Sequence, residues 1–484
     1  MRGRVQTRLL AGWSDPATVF AALYATKQYA FWLDAGPGAS AGTSYLGAAS
    51  STSRFVTASV AEGTVTSRYV DARPSTHTHE SVFDFLRRDL VGGSENGPVD
   101  AGERGCGALE AGGFELGWVG WLGYELGVPA TAGAHESPYP DAALLEVHRM
   151  VRFDHSARTL TLVARRVGAE TEESIAYWFD ETAAAISRAP VEPFVERKKL
   201  DPGAPGASAA PLWRHDRAAY ASLIESALAA IRDGDAYQLC LTNEIRVPGR
   251  WNPVDTYSVL RTTSPSHHGG LLLFDDLALL SASPEQFLHV NRDRHIRTKP
   301  IKGTRPRSDD SEQDARLKTD LLGSEKERAE NLMIVDLMRN DLGRIAELGS
   351  VAVSSLLAVE SYPHVHQLVS TIEAQLSEGV TVIDAIEACF PAGSMTGAPK
   401  HGAMTILNAL ENGPRGIYSG AFGYIDGSGA VDLAIVIRSI VLDSFGASIG
   451  TGGGITALSD SNEEIEETRI KVAALLASLA AAAP

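Results

Sequence analysis

Gly270-Leu-Leu-Leu-Phe-Asp-Asp-Leu-Ala-Leu-Leu-Ser281 holds two strand-like apolar runs, 270–274 and 277–281, with no helical pattern between them. Another strand-like run, 237–245, precedes them. Upstream, Asp216 can cap a helix that carries Tyr220, Ile224, Leu228 and Ile231 at 3.6-residue spacing. Downstream, the pattern predicts helices over 325–338 and 382–389, a strand over 432–442 and a closing Ala- and Leu-rich helix over 462–480. Strands and helices do not alternate strictly, which favours an α+β fold over a doubly wound sheet. The first 195 residues add short alternating segments, such as 29–34 and 160–163. They also hold Gly117-Trp-Val-Gly-Trp-Leu-Gly-Tyr-Glu125, whose glycines and aromatics suggest strands meeting near tight bends. Residues 196–212, with Pro202, Gly203, Pro205 and Gly206, read as a linker between an N-terminal region, 1–195, and a second region, 213–484.

The chain has 484 residues, 44% hydrophobic and 21% charged, the composition of an ordinary soluble globular protein. A net charge of −17 argues against nucleic-acid and anionic-membrane partners, which would repel it. Cys106, Cys240 and Cys389 are too few and too scattered for a disulfide framework or a Cys-x-x-Cys metal site. No apolar run follows the N-terminus as in a signal peptide, and none approaches the roughly 20 residues of a membrane span. The expected compartment is the cytoplasm.

Lys299-Pro-Ile-Lys-Gly-Thr-Arg-Pro-Arg307 carries the most informative side chain, Lys302. Pro300, Gly303 and Pro306 predict a stiff turn around it. A lysine amine becomes a nucleophile when its surroundings lower its pKa. Deprotonation at pH 7 from a reference pKa of about 10.4 costs about 4–5 kcal/mol. Burial and the neighbouring Lys299 and Arg305 are expected to reduce that cost.

Glu327 and Glu330 lie three apart on one expected helix, and Glu464 and Glu467 lie three apart on another. Such pairs share a helix face, so each can aim two carboxylates at one point. Taken alone, either pair is a solvated face. Brought together, the two would repel unless a hard divalent cation sat between them, and oxygen-only ligands favour Mg²⁺. Lys471 lies one turn past Glu467, on the same face. Glu285, beside a proline at a strand end, suits a general acid or base if it is buried. Glycines in Gly450-Thr-Gly-Gly-Gly454 would let backbone N–H groups approach an anion. Neither this run nor Gly393-Ser-Met-Thr-Gly-Ala-Pro-Lys400 completes a nucleotide-binding motif. Arg438, within the expected strand 432–442, needs a partner.

Pro300-Ile-Lys-Gly-Thr304, Glu330-Asn-Leu-Met-Ile-Val-Asp-Leu-Met-Arg-Asn-Asp341, Gly393 to Lys400, Ile417-Tyr-Ser-Gly-Ala-Phe-Gly-Tyr424, Val436-Ile-Arg-Ser439, Gly452-Gly-Gly-Ile455 and Glu464-Ile-Glu-Glu-Thr-Arg-Ile-Lys471 occur in this order. Together they resemble the chorismate-utilising enzymes, over about residues 213 to 475. The resemblance implies two large antiparallel sheets packed face to face, with helices outside and strands contributed by the first 195 residues. Pro-Ile-Lys-Gly-Thr is similar to the component I enzymes that aminate chorismate at C4. Relatives that aminate C2 usually carry alanine where Lys302 stands, and those that add water at C2 usually carry lysine where Gln238 stands.

The roles that follow are implied by that resemblance. Glu330 and Glu467 would hold Mg²⁺ directly, with Glu327 and Glu464 acting through water. Thr304, Tyr418, Arg438, Lys471 and the amides of Gly452, Gly453 and Gly454 would position the substrate carboxylates. Lys302 would attack C2 as the C4 hydroxyl leaves, and ammonia from a separate glutamine amidotransferase subunit would displace it. The family's usual His-Leu-Val-Ser reads Gln367-Leu-Val-Ser370 here, and an amide cannot donate a full proton. His366 would face the other way on a strand, so the proton is expected from Glu285. Two other readings stand beside this one: C2 amination with pyruvate elimination, as in anthranilate synthase component I, or a non-catalytic chorismate- or tryptophan-binding subunit. A tryptophan pocket would lie around Asp34 and Ser44 to Gly47.

Overall fold

Residues 270–281 fold as an antiparallel pair, His268–Phe274 and Leu277–Ser283, turning at Asp275 with φ +64°. The computed structural model describes residues 4–71, 74–92, 113–129, 133, 135–189, 210–362 and 364–483. The pair lies at the centre of one sheet: His268–Phe274 pairs with Tyr29–Asp34, and Leu277–Ser283 pairs with Ser439–Leu442. Among the described residues, this sheet and a second one each contain 12 strands. Early and late segments interleave in both, since Gly117–Leu122 pairs with Ala421–Asp426 in the second sheet. The antiparallel ladders and outer helices agree with the α+β expectation.

The two inner faces share an aromatic layer in which Phe31, Tyr45, Trp121, Phe274, Phe422 and Tyr424 are all buried. Sheets facing each other in this way interdigitate side chains at a spacing of about 10 Å. Gly270 permits a close approach, because a Cβ there would stand 2.5 Å from Cε2 of Phe422. Helices cover the outer faces. Ser461–Ala481 buries Val472, Leu475 and Leu479 against Ile245, Leu271 and Leu280 of the first sheet. Glu325–Gly343 and Val382–Cys389 bury Ile334, Met338 and Ile383 against Ile372 and Leu433 of the second. Each fully buried aliphatic side chain contributes about 1.5–3 kcal/mol. Asp216 does cap Arg217–Arg232, accepting from the Ala219 N–H at 2.9 Å.

The expected strand 432–442 is two strands. Val431–Ile435 belongs to the second sheet and Ser439–Leu442 to the first. The chain crosses between them at Arg438, which has φ +52°. An apolar run shows the same pattern whether it stays in one sheet or changes sheets, so the break is a tertiary feature. Of the expected linker, 196–209 lies outside the described residues, as does Cys106. No helix among the described residues is long and apolar enough to cross a membrane.

Candidate active site

Lys302 stands in the strand Ile301–Pro306, not on a turn. The register of this strand against Val365–Gln375 shifts between Ile301 and Thr304, so Lys302 and Gly303 form a bulge. Gly303 has φ +81°, and a Cβ there would meet the Glu327 carboxyl carbon at 2.8 Å. Bulges re-aim side chains. Here the Lys302 side chain is left only 13% exposed, its Nζ 3.6 Å from Glu330 Oε2. Asn331 anchors the approach to the bulge: its amide donates to Pro300 O (3.4 Å) and Leu368 O (3.5 Å), and it accepts from Ser370 Oγ (2.5 Å).

Three side chains converge on the glycine strand Gly446–Thr456. A Cβ on Gly454 would stand 2.6 Å from Gln238 Nε2, 3.3 Å from Glu330 Oε2 and 3.4 Å from Lys302 Nζ. The absence of a side chain at Gly454 is therefore what lets them meet. On Gly453, a Cβ would be 3.1 Å from Glu464 Oε2 and 4.0 Å from Lys471 Nζ. Lys471 bonds Glu467 at 2.7 Å, one turn away on its helix, and donates to Gly452 O at 2.7 Å. Lys326 reaches across from the other helix to Glu464 at 2.7 Å. Tyr418 lies against Gly450, where a Cβ would stand 2.0 Å from its Cγ.

The electrostatics divide the site. Burial raises the Glu285 carboxyl to about 7, opposed first by Lys302. Glu285 Oε1 also accepts the Ile301 N–H at 3.4 Å. Burial raises Glu330 as well, with Lys302 and Lys326 opposing, whereas for Glu467 desolvation is outweighed by Lys471, Lys326 and Lys302 together, and its pKa is lowered. Burial alone would lower the Lys302 pKa, but Glu330, Cys240, Glu285 and Glu467 raise it more. The amine is therefore held charged, which corrects the expectation of a lowered pKa. The two cations expected to lower it are engaged elsewhere, Lys299 with Glu360 at 2.8 Å and Arg305 with Glu327 at 2.9 Å and Asp320 at 2.6 Å.

Arg438 is lowered by desolvation, and among the described residues its guanidinium has no hydrogen bond or ion pair. Glu467 is the nearest acidic group that favours its charge, and the Tyr418 phenol, which burial keeps neutral, lies beside it.

Lys302, Glu285, Glu330, Glu464, Glu467, Lys471, Tyr418, Arg438 and Gly452 to Gly454 are thus linked in one region. Glu327 is drawn away to Arg305, and Thr304 is exposed. Gln367 is buried opposite Thr304, with no hydrogen bond among the described residues to Glu285 or Lys302. His366 bonds Ser361 (2.8 Å) and Asp314 (3.0 Å), away from the site. Sequence reasoning missed Asn331 and Lys326, although both flank the quoted glutamates. It weighed Gln238 only as a missing lysine, yet both ends of its buried amide have no partner.

Among the described residues no three His, Cys, Asp or Glu side chains stand close enough around one point to hold a metal ion. Glu330, Glu464 and Glu467 nevertheless act on one another across the glycine strand, with Lys302 and Lys326 supplying positive charge between them. Carboxylate oxygens are the donor type a hard divalent cation prefers, but here they do not converge on one point. Glu327 does not join them.

A family model described as chorismate binding enzyme matches residues 51–477. The chain is 42% identical to an aminodeoxychorismate synthase of Streptomyces griseus, covering 100% of this chain and 65% of that protein. It is 37% identical to anthranilate synthase component 1 of Streptomyces coelicolor, covering 76% of this chain and 73% of that one. The structure is similar to that of anthranilate synthase component I from Streptococcus pneumoniae, with a TM-score of 0.72, 28% identity and coverage of 90% of this chain and 93% of that one. The chain thus spans somewhat less than two-thirds of the length of the aminodeoxychorismate synthase and most of the anthranilate synthases. With the site, the second sheet and much of the first falling inside the matched residues, the chain belongs to the chorismate binding enzyme family.

Proposed function

We propose that this chain aminates chorismate at C4 to give 4-amino-4-deoxychorismate, in the presence of Mg²⁺ and with ammonia from a separate glutamine amidotransferase subunit. The observation that carries the reading is Lys302: a lysine aimed by a bulge to within 3.6 Å of Glu330, meeting it and Gln238 over Gly454. Similarity along the whole chain to an aminodeoxychorismate synthase supports it.

Arg438 and Tyr418 receive the substrate carboxylate, since Arg438 has no anion of its own. Glu330, Glu464 and Glu467 are the carboxylates that would hold Mg²⁺, which when bound would supply positive charge for a second carboxylate. Lys302, once deprotonated, attacks C2 while the C4 hydroxyl departs as water with a proton from Glu285. Ammonia then attacks C4, the double bond shifts back, and the lysine amine is released. Each displacement forms one C–N bond and breaks one bond to the ring, so lysine is regenerated. Glu285 suits the acid role because burial leaves it partly protonated near neutrality.

Similarity to anthranilate synthases favours C2 amination as the competing reading. Mass spectrometry of the product formed from chorismate, Mg²⁺ and ammonium decides between them. The proposal expects 4-amino-4-deoxychorismate; anthranilate and pyruvate would overturn it.

A further inference from the structure

Gly117-Trp-Val-Gly-Trp-Leu-Gly-Tyr-Glu125 has no part in the chemistry above. Its last residue, Glu125, is 5% exposed. Its two carboxylate oxygens accept successive backbone N–H groups, Arg415 at 2.7 Å and Gly416 at 2.9 Å. Tyr124 reinforces the grip: its N–H donates to Gly416 O at 2.9 Å, and its ring lies 4.2 Å from the Arg415 guanidinium. That guanidinium donates to Glu411 (2.7 Å), Met395 O (2.6 Å) and Cys240 O (2.8 Å). Two residues beyond Gly416, the Tyr418 ring lies against Gly450. The Ser419 N–H donates to Val436 O at 2.9 Å, two residues before Arg438.

Burying a carboxylate is costly, and two amides could be met by neutral acceptors. A carboxylate, however, accepts both amides at once from one rigid group, and those bonds oppose the burial that pushes Glu125 up to about 7. We infer that Glu125 is a positioning residue, contributed by the first half of the chain, which fixes the 415–419 segment so that Tyr418 and Arg438 meet the substrate carboxylate. The inference rests on the chorismate reading of the site. Glutamine cannot replace it, because its amide NH₂ would face one of the two N–H groups.

The test is steady-state kinetics with chorismate, Mg²⁺ and ammonium, alongside thermal unfolding. Glu125→Gln should raise the KM for chorismate about tenfold or more, with kcat within about threefold of the parent. In the double variant with Tyr418→Phe, the two KM effects should overlap and not multiply. A Glu125 that served packing alone would lower the melting temperature while leaving KM unchanged in the folded protein; that result, or multiplying effects, overturns the inference. If Glu125→Gln does not fold, Glu125→Asp carries the same comparison, with a smaller KM increase expected and an unchanged KM contradicting. A parent protein that neither binds nor consumes chorismate overturns the functional reading, and this inference with it, before any variant is made.

Discussion

Lys302 and Arg438 are two cations of one site, and the fold treats them in opposite ways. Lys302 is satisfied: Glu330 stands 3.6 Å away and the surrounding carboxylates hold the amine charged. Arg438 has no ion partner among the described residues, and desolvation acts against its charge. The difference separates binding from chemistry. An unpartnered guanidinium is a receptor for an incoming carboxylate, whereas a paired amine must first lose its proton before it can attack.

Removing the proposed nucleophile should have the largest effect. Lys302→Ala should lower turnover of chorismate with ammonium by about 1,000-fold or more. It also leaves Glu330 without its cation, so without divalent ions the variant should lose about 1–3 kcal/mol of stability in a denaturant titration. Glu285→Gln comes next, with kcat down about 100-fold or more through loss of the acid. With its folded pKa at about 7, the parent should lose kcat as pH rises through that value, because the acid is protonated only below it. The same raised pKa favours the protonated folded state. The stability Glu285 contributes is therefore present below its unfolded pKa and lost as pH rises toward 7, and at pH 8 Glu285→Gln should be at least as stable as the parent.

Arg438→Met should raise the chorismate KM by about 30-fold and leave the melting temperature unchanged or higher, because it removes a cation that has no partner. Equal losses of stability in Lys302→Ala and Arg438→Met would break the contrast. The smallest effect belongs to Glu327, which Arg305 already occupies. Glu327→Gln should shift the Mg²⁺ requirement less than about threefold, and Glu330→Gln about tenfold or more, in titrations after chelation.

The contrast also marks what the sequence could and could not reveal. Helical spacing made legible which of these residues share a face, and Glu467 and Lys471 do bond across one turn, but it did not show that Glu327 turns to Arg305. The inward aim of Lys302 was not legible, because it depends on a bulge and on the φ of Gly303. Neither was its charge state, which is set by Glu285 and Glu330, residues remote in sequence. Arg438 looked like a mid-strand anomaly because an apolar run does not say where a strand changes sheets. The partners of Glu125 lie 290 and 291 positions away, beyond the reach of any local pattern.

The most direct measurement is peptide mass mapping of the protein quenched during turnover of chorismate with Mg²⁺ and no ammonium. The account predicts a mass increase of chorismate less water on the peptide carrying Lys302, lost on adding ammonium. Turnover at the parental rate by Lys302→Ala, with no adduct on that peptide in the parent, would contradict it.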